Sequence, residues 1–487
     1  MDRKKEFKDM PTDDFKKYGY KLIDWASEYL NNIEKYKVLP DIKPGEIKAR
    51  LPEHPNYAGE DFNKIINDFD KIIIPGITHW NHPGFMAYFN STSSVPGILA
   101  ELLIATLNVN GMLWRTSPSA SELEEVTTKW LREMLGLPEY MWGIIYDTAS
   151  VSSLHAIACA REKLGLDIRE KGLAGNNLPK LRLYCSEHAH SSIEKGALTL
   201  GIGREGVKKI GSDAEFRMIP ELLRAEIRKD KRDGVMPFCV VATVGTTSTT
   251  SIDPIRVIGE ICKEENLWLH VDSAHAGAAA IVPEMRYIFD GIEYADSIVI
   301  NPHKWMFVPV DCSILYIKEP EILKKAFSLD PEYLKTKVDS EVINYNDYGV
   351  QLGRRFRSLK LWFVVKYFGA EGLAGIIKRN IETAKKFKQL VQGDPEFELM
   401  APAPFSTICF RYKPAEYIGD LNELNSKLMD EINKTGKIFL SHTKLNGNFV
   451  IRLVVSGIRT EEKHVLEAWE IIKSVIHTNT TIGNIIK

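Results

Sequence analysis

The chain has 487 residues, 44% of them apolar and 26% charged, the balance of a globular protein too long for one core. Its formal net charge of −2 gives no electrostatic support to a nucleic-acid or anionic-membrane partner. The opening MDRKKEFKDMPTDDF lacks the apolar stretch of a signal peptide, and no apolar run is long enough to span a membrane. Six cysteines (Cys159, Cys185, Cys239, Cys262, Cys312, Cys409) lie far apart with no CxxC spacing, which predicts reduced core thiols and a cytoplasmic α/β enzyme.

In chain order, residues 13–31 put Phe15, Tyr18, Leu22, Trp25 and Tyr29 at helical spacing, behind an N-cap at Asp13 or Asp14. Helical stretches follow near 60–73 and 95–107, separated by Pro-rich connectors. This first segment, residues 1–94, has apolar faces and little chain to cover them, so it is expected to pack on another domain or subunit. From about residue 120 helices and strands alternate: ELEEVTTKWLREMLGL, then WGIIYD, a helix, KLRLYCS, and onward to residue 318. Such alternation predicts a largely parallel sheet covered on both faces, and residues 95–365 as a large α/β domain. Helix 368–393, strand TICFRYK, helix 420–435, strand NFVIRLVVS and helix 460–477 then predict a smaller α+β domain over 366–487.

In open parallel sheets ligands bind beyond the carboxyl ends of the strands. RLYCS runs into Glu187-His188-Ala189-His190, FCVVATV into Gly245-Thr246-Thr247, LWLHV into Asp272-Ser273-Ala274-His275, and SIVI into Asn301-Pro302-His303-Lys304. One edge thus collects imidazoles, a hydroxyl, a carboxylate and an amine. Lys304 stands among Val, Ile, Trp, Met and Phe, where a bare ammonium is costly. Asp272 lies 32 residues earlier, one strand-helix-strand unit away. Two readings are open: a buried salt bridge, or an amine that forms a Schiff base with an aldehyde cofactor while the acid protonates its ring nitrogen. The second reading calls for pyridoxal phosphate and a phosphate cradle. Thr148, Ser150, Ser152 and Ser153, between a strand and a helix, offer one, although an ordinary N-cap needs only one of those hydroxyls.

Other patterns carry less. His188-x-His190 and His79-x-x-His82 lack the further ligands of a zinc site, so no metal is expected. The basic run Arg354-Arg355-Phe356-Arg357-Ser358-Leu359-Lys360 reads as a solvated or phosphate-facing helix start. A GxSxG elbow is absent, and with it the signature of a serine hydrolase.

The stretch NPHKW, preceded by VDSAHAG and followed by DCS, resembles the group II pyridoxal-phosphate decarboxylases, specifically the aromatic-L-amino-acid decarboxylases. The likeness extends through HWNHPGFMAYFNSTSS, SPSASELEEVTTKWL, AHSSIEKGA, ATVGTTSTTSIDPI, DPEYLK, LGRRFRSLKLWF and FVIRLVVSGIRT. It implies a type I, aspartate aminotransferase-like fold and a homodimer with active sites at the subunit interface. It further implies that Lys304 bonds pyridoxal 5'-phosphate, that Asp272 pairs with the pyridine nitrogen, and that Ala274 and His190 lie on opposite faces of the ring. Thr246 would sit near the phenolic oxygen and the substrate carboxylate, with Ala149, Ser150, Asn301 and His303 at the phosphate end. Trp80, Tyr88, Phe89 and Thr92 would belong to the substrate pocket, and Tyr333 to a loop covering the site.

The family's aldehyde synthases carry phenylalanine at the position of Tyr333, so the hydroxyl implies simple decarboxylation, aided by His190 as the proton returns. YDTASVSS lacks the family's glycines and carries Val151 where an acid is common. Asn110 and Met112 replace apolar and aromatic pocket residues, and Arg115 replaces a small one. Gly353 stands where tyrosine- and histidine-specific members carry serine, which leaves room for a larger ring. The resemblance therefore implies decarboxylation of tryptophan, phenylalanine, tyrosine or DOPA. The alternatives are an aldehyde synthase, a decarboxylase of histidine, or one of glutamate with Arg115 as the cation. A non-enzymatic paralogue would have little reason to keep Lys304, Asp272, His190 and Tyr333 together.

Overall fold

The computed structural model describes residues 8–55, 57–329 and 341–478. The first amphipathic pattern forms α1 (Thr12–Asn31), followed by the short helices α2 (Glu46–Arg50) and α3 (Phe62–Asp68). Of α1 only Tyr18 is buried, while Phe15, Tyr20, Leu22 and Ile23 stay exposed. Farther on, Val38, Phe85 and Ala87 cluster with Phe439, so part of this segment leans on the C-terminal region. Next comes α4 (Val95–Leu107), with proline in its first turn, where a missing N–H costs nothing. The helix α5 (Pro118–Met134) is capped by the Ser117 hydroxyl, which accepts from Ala120 N.

The central sheet is then laid down as β1 (Trp142–Tyr146), α6 (Ala149–Glu162), α7 (Ile168–Lys171), β2 (Leu181–Ser186), α8 (Ser191–Thr199) and β3 (Val207–Ile210). It continues with α9 (Pro220–Arg232), β4 (Met236–Thr243), α10 (Ile255–Glu265), β5 (Trp268–Asp272), β6 (Ser297–Ile300), α11 (Pro302–Trp305) and β7 (Ser313–Ile317). The seven strands lie in the order β1-β7-β6-β5-β4-β2-β3. Strands β6, β5, β4, β2 and β3 are parallel; β7 runs antiparallel to both its neighbours, because the connection through single-turn α11 folds back instead of crossing over. β4 shows why these strands read as unbroken apolar runs. Val240 and Ala242 face one core with Leu223, Ile227 and Ile258, whereas Cys239 and Val241 face the other with Ile157 and Ile193. All six cysteines are buried and free.

After α12 (Pro320–Phe327) comes α13 (Arg357–Gly393), two helical runs that meet at a kink at Gly369, the second of them matching the helix expected from residue 368. Its one residue off helical geometry is Gly369, at φ +65°, a conformation that suits glycine. In the basic run at its start only Arg355 is solvent-exposed; Arg354, Arg357 and Lys360 turn inward to carboxylates. Arg354 pairs with Glu124 at 2.6 Å, Arg357 with Asp311 at 2.8 Å and Lys360 with Glu101 at 2.6 Å, and Arg355 also meets Glu101. Carboxylates from α4, α5 and the β6–β7 connection neutralise the run inside the protein, and Lys360 is fully buried.

The last part is an antiparallel sheet in the order β10-β11-β9-β8, built from β8 (Phe397–Leu399), β9 (Thr407–Tyr412), β10 (Ser441–Leu445) and β11 (Asn448–Val454). The helices α14 (Leu421–Lys434) and α15 (Glu462–Thr478) and the end of α13 cover it through Phe387, Leu428, Ile451 and Trp469. The strands β8 and β10 escaped the sequence pattern: one has three residues, and the other is the largely polar SHTKL.

Glu124→Ala removes the carboxylate that holds both Arg354 and the Ile145 N–H in a buried setting. The expected loss is about 3–5 kcal/mol of stability, read as a lower denaturant midpoint at unchanged slope.

Candidate active site

A cleft of about 380 Å³ lies where the strand ends converge. Thr243 and Gly245 come from the end of β4, Asp272, Ala274 and His275 from β5, and Asn301, His303 and Lys304 from β6. His190 precedes α8, Thr148, Ala149 and Ser150 open α6, and Tyr88, Phe89 and Arg452 close the wall. Because β6, β5, β4 and β2 are adjacent and parallel, their C-terminal residues are delivered to one edge. Gly245 adopts φ +86°, and a Cβ there would come within 2.4 Å of the Ala276 Cβ, so this turn requires glycine.

Lys304 is the centre of the arrangement. No carboxylate among the described residues lies within ion-pair distance of its amine; the Phe89 ring centroid is 5.6 Å away. Burial pushes the amine's pKa below its ordinary value, opposed by the charge of Asp272. The salt-bridge reading of this pair therefore has no contact behind it. Asp272 is buried, and its Oδ1 accepts from Ala274 N at 3.2 Å.

His190 is the N-cap of α8. Its Nδ1 accepts from Ser192 N at 3.2 Å and meets the Ser192 hydroxyl at 2.8 Å, which leaves the ring proton on Nε2. Burial and the Lys304 charge lower its pKa, against the pull of Asp272. His303 accepts from Cys312 N through Nδ1 at 2.8 Å, and burial takes it to about 4. Both imidazoles are neutral at pH 7.

The cleft suits pyridoxal phosphate on four observations. The amine is unpaired and its pKa depressed. Ala274 presents a small side chain beside Asp272. Thr148 gives α6 no side-chain cap, so the positive end of that helix meets the cleft ready for an anion. Finally, Asn301 Oδ1, Thr243 Oγ1 and both nitrogens of His275 are buried without a partner among the described residues, as polar atoms awaiting a ligand are.

Other expected residues stand off the cleft wall. Ser152 meets Ser313 at 2.8 Å and Ser153 meets His270 at 3.0 Å, which leaves Thr148 and Ser150 as the cradle hydroxyls at the cleft. The Thr246 hydroxyl is engaged with Thr249 at 3.0 Å and with Ser251 N, and Thr92 accepts from Ile458 N. Trp80 stacks on Phe85 at 4.3 Å outside the wall. Met112 and Gly353 neighbour Asn110, away from the cleft of their own chain. Tyr333 lies outside the described residues. His79 meets the Tyr29 hydroxyl at 2.7 Å, and His82 accepts from Gly84 N.

Sequence reasoning missed Arg452. Its guanidinium donates to Ser248 O at 2.9 Å, Thr247 O at 2.8 Å and Ser441 Oγ at 3.2 Å, and is 4% exposed with no carboxylate partner among the described residues. A lone charge in the apolar strand NFVIRLVVS was the available signal.

A seven-stranded mixed sheet, a small antiparallel sheet and a buried strand-end lysine facing an acid define a type I pyridoxal-phosphate enzyme. The comparisons narrow this. The pyridoxal-dependent decarboxylase conserved domain matches residues 44–413, and the chain belongs to that family. It is 39% identical to a phenylacetaldehyde synthase of Arabidopsis thaliana over 96% of this chain and 97% of the relative. It is likewise 39% identical to tyrosine decarboxylase 4 of Petroselinum crispum, over 95% of this chain and 93% of that one. The crystal structure of Catharanthus roseus tryptophan decarboxylase in complex with L-tryptophan superposes with a TM-score of 0.90 at 36% identity, covering 96% of this chain and 99% of that one.

In the protein free of cofactor, an NMR titration of His190 is expected to have its midpoint below 6.5. Since the Asp272 charge holds it up, Asp272→Asn should lower the midpoint further.

Proposed function

We propose that this protein decarboxylates an aromatic L-amino acid to the corresponding amine and CO₂. The observation that carries the reading is the unpaired, desolvated Lys304 amine set against Phe89 and Tyr88 in a cleft that also holds an uncompensated Arg452. When bound, pyridoxal phosphate supplies the electron sink for the pair left by the departing carboxylate. The chain's residues do the rest. Lys304 would bond the cofactor's aldehyde carbon through its amine, and Asp272 would keep a proton on the ring nitrogen. Ala274 and His190 would lie against the ring, while Ala149, Ser150, Asn301 and His303 would serve its phosphate end. Arg452 takes the substrate carboxylate, a buried cation meeting the one anion every α-amino acid brings. The aromatic side chain lies toward Phe89, Tyr88 and Trp80. Tyr333, with His190, returns a proton to Cα.

The name of the Arabidopsis relative supports a second outcome, oxidative conversion to an aldehyde. Incubation with tryptophan, phenylalanine, tyrosine, DOPA, histidine and glutamate should give amine from an aromatic substrate without peroxide, and Tyr333→Phe should raise peroxide. Stoichiometric peroxide from the parent protein would establish the aldehyde synthase instead.

We also propose a cytoplasmic homodimer divided near residues 94 and 365. Val95, Leu99, Leu102, Leu103 and Leu107 leave one apolar face of α4 exposed, as a subunit interface does. Met112 and Gly353, outside their own cleft, fit a role in completing the site of a second copy. Free buried cysteines suit a reducing compartment, and no helix among the described residues is long and apolar enough to cross a membrane. The double change Leu102→Glu and Leu103→Glu should yield monomer in sedimentation velocity and abolish turnover.

A further inference from the structure

His275 follows Ala274 beyond the end of β5, is 2% exposed and lines the cleft. Its ring is sandwiched between Phe89, at 4.0 Å and 13°, and Trp305, at 4.9 Å and 5°. Neither ring nitrogen has a hydrogen-bond partner among the described residues. A group needed only to fill the gap between two aromatic rings would be better as a hydrocarbon, because two buried polar atoms left unpaired are costly. With both faces covered, the nitrogens can bond only around the ring edge.

The surroundings select the partner. Lys304 Nζ lies 5.6 Å and Arg452 Cζ 5.5 Å from the centroid of the same Phe89 ring that stacks on His275. Burial, with Lys304 and Arg452 nearby, disfavours a second proton on His275 and leaves it one N–H to donate. An N–H donor, a guanidinium and an amine nitrogen all disposed around one aromatic ring suit an anionic ligand. The opening of α6 supplies a separate anion site in the same cleft.

We infer that His275 donates its N–H to the α-carboxylate of the substrate, beside Arg452, and thereby fixes the direction of the bond to be broken. This deepens the proposed function and rests on it. The carboxylate is the one group the amino acid has and the product amine lacks, so the contact distinguishes substrate from product.

The test is His275→Phe in the holoenzyme, which keeps the ring stack and removes both nitrogens. KM for the aromatic amino acid is expected to rise roughly 10- to 100-fold, the effect of one lost hydrogen bond to a charged group, with the inhibition constant of the matching amine unchanged. Absorbance titrations of the holoenzyme with amino acid and with amine should show the same split. Equal losses for both ligands, or none for either, would overturn the inference. If the phenylalanine variant is not recovered folded, His275→Tyr keeps the stack, displaces the polar atom and should split the two ligands in the same way. A parent holoenzyme that releases CO₂ from no aromatic amino acid would remove the proposed function itself, a result separate from either variant's.

Discussion

The constraint on which the site depends is the burial of one primary amine without a counter-ion among the described residues. Lys304 sits on a single helical turn between β6 and β7, and its neighbours His303, Trp305 and Phe307 are buried with it. Desolvation favours the neutral amine, the form that can attack a carbonyl carbon. A carboxylate at contact distance would undo that, by restoring the ammonium. Asp272 is on the adjacent strand, where its field reaches the amine while its own oxygen is tied to Ala274 N. Both groups line the one cleft that a planar cofactor would enter.

The parallel sheet and its crowded edge were legible because each strand carried a continuous apolar run and ended in polar residues of distinct chemistry. A two-faced core demands the first, and the C-terminal placement of ligands follows from the geometry of parallel strands. The short strands β8 and β10 were not legible: one is too brief and the other too polar to show a period. The basic run at Arg354 was misread because its counter-charges, Glu101, Glu124 and Asp311, are dispersed through the chain and meet only in the fold.

Within the cleft, residues at strand ends and the Tyr88-Phe89 pair carried a signal in the sequence, whereas Arg452 carried only its lone charge and His275 was given no role. Arg452 belongs to β11 of the small sheet, and His275 sits one position past the small residue on which the motif is centred. The hydroxyl cluster after β1 divides in the structure. Thr148 and Ser150 line the cleft, but Ser152 and Ser153, on the same helix, turn toward β7 and β5. Helical rotation separates them, as it must over a few residues of an α-helix.

The clasp around Arg452 has a mechanical consequence. The side chain grows from the small sheet, yet its nitrogens are held by the carbonyls of Thr247 and Ser248 in the turn that leaves the large one. Ser248 is fastened in turn to Thr443 of β10 at 2.8 Å and to the Cys409 thiol of β9. The guanidinium therefore works as a gauge pin between two bodies, so a small slip of one sheet against the other would shift its position while leaving Lys304 and Asp272 in register.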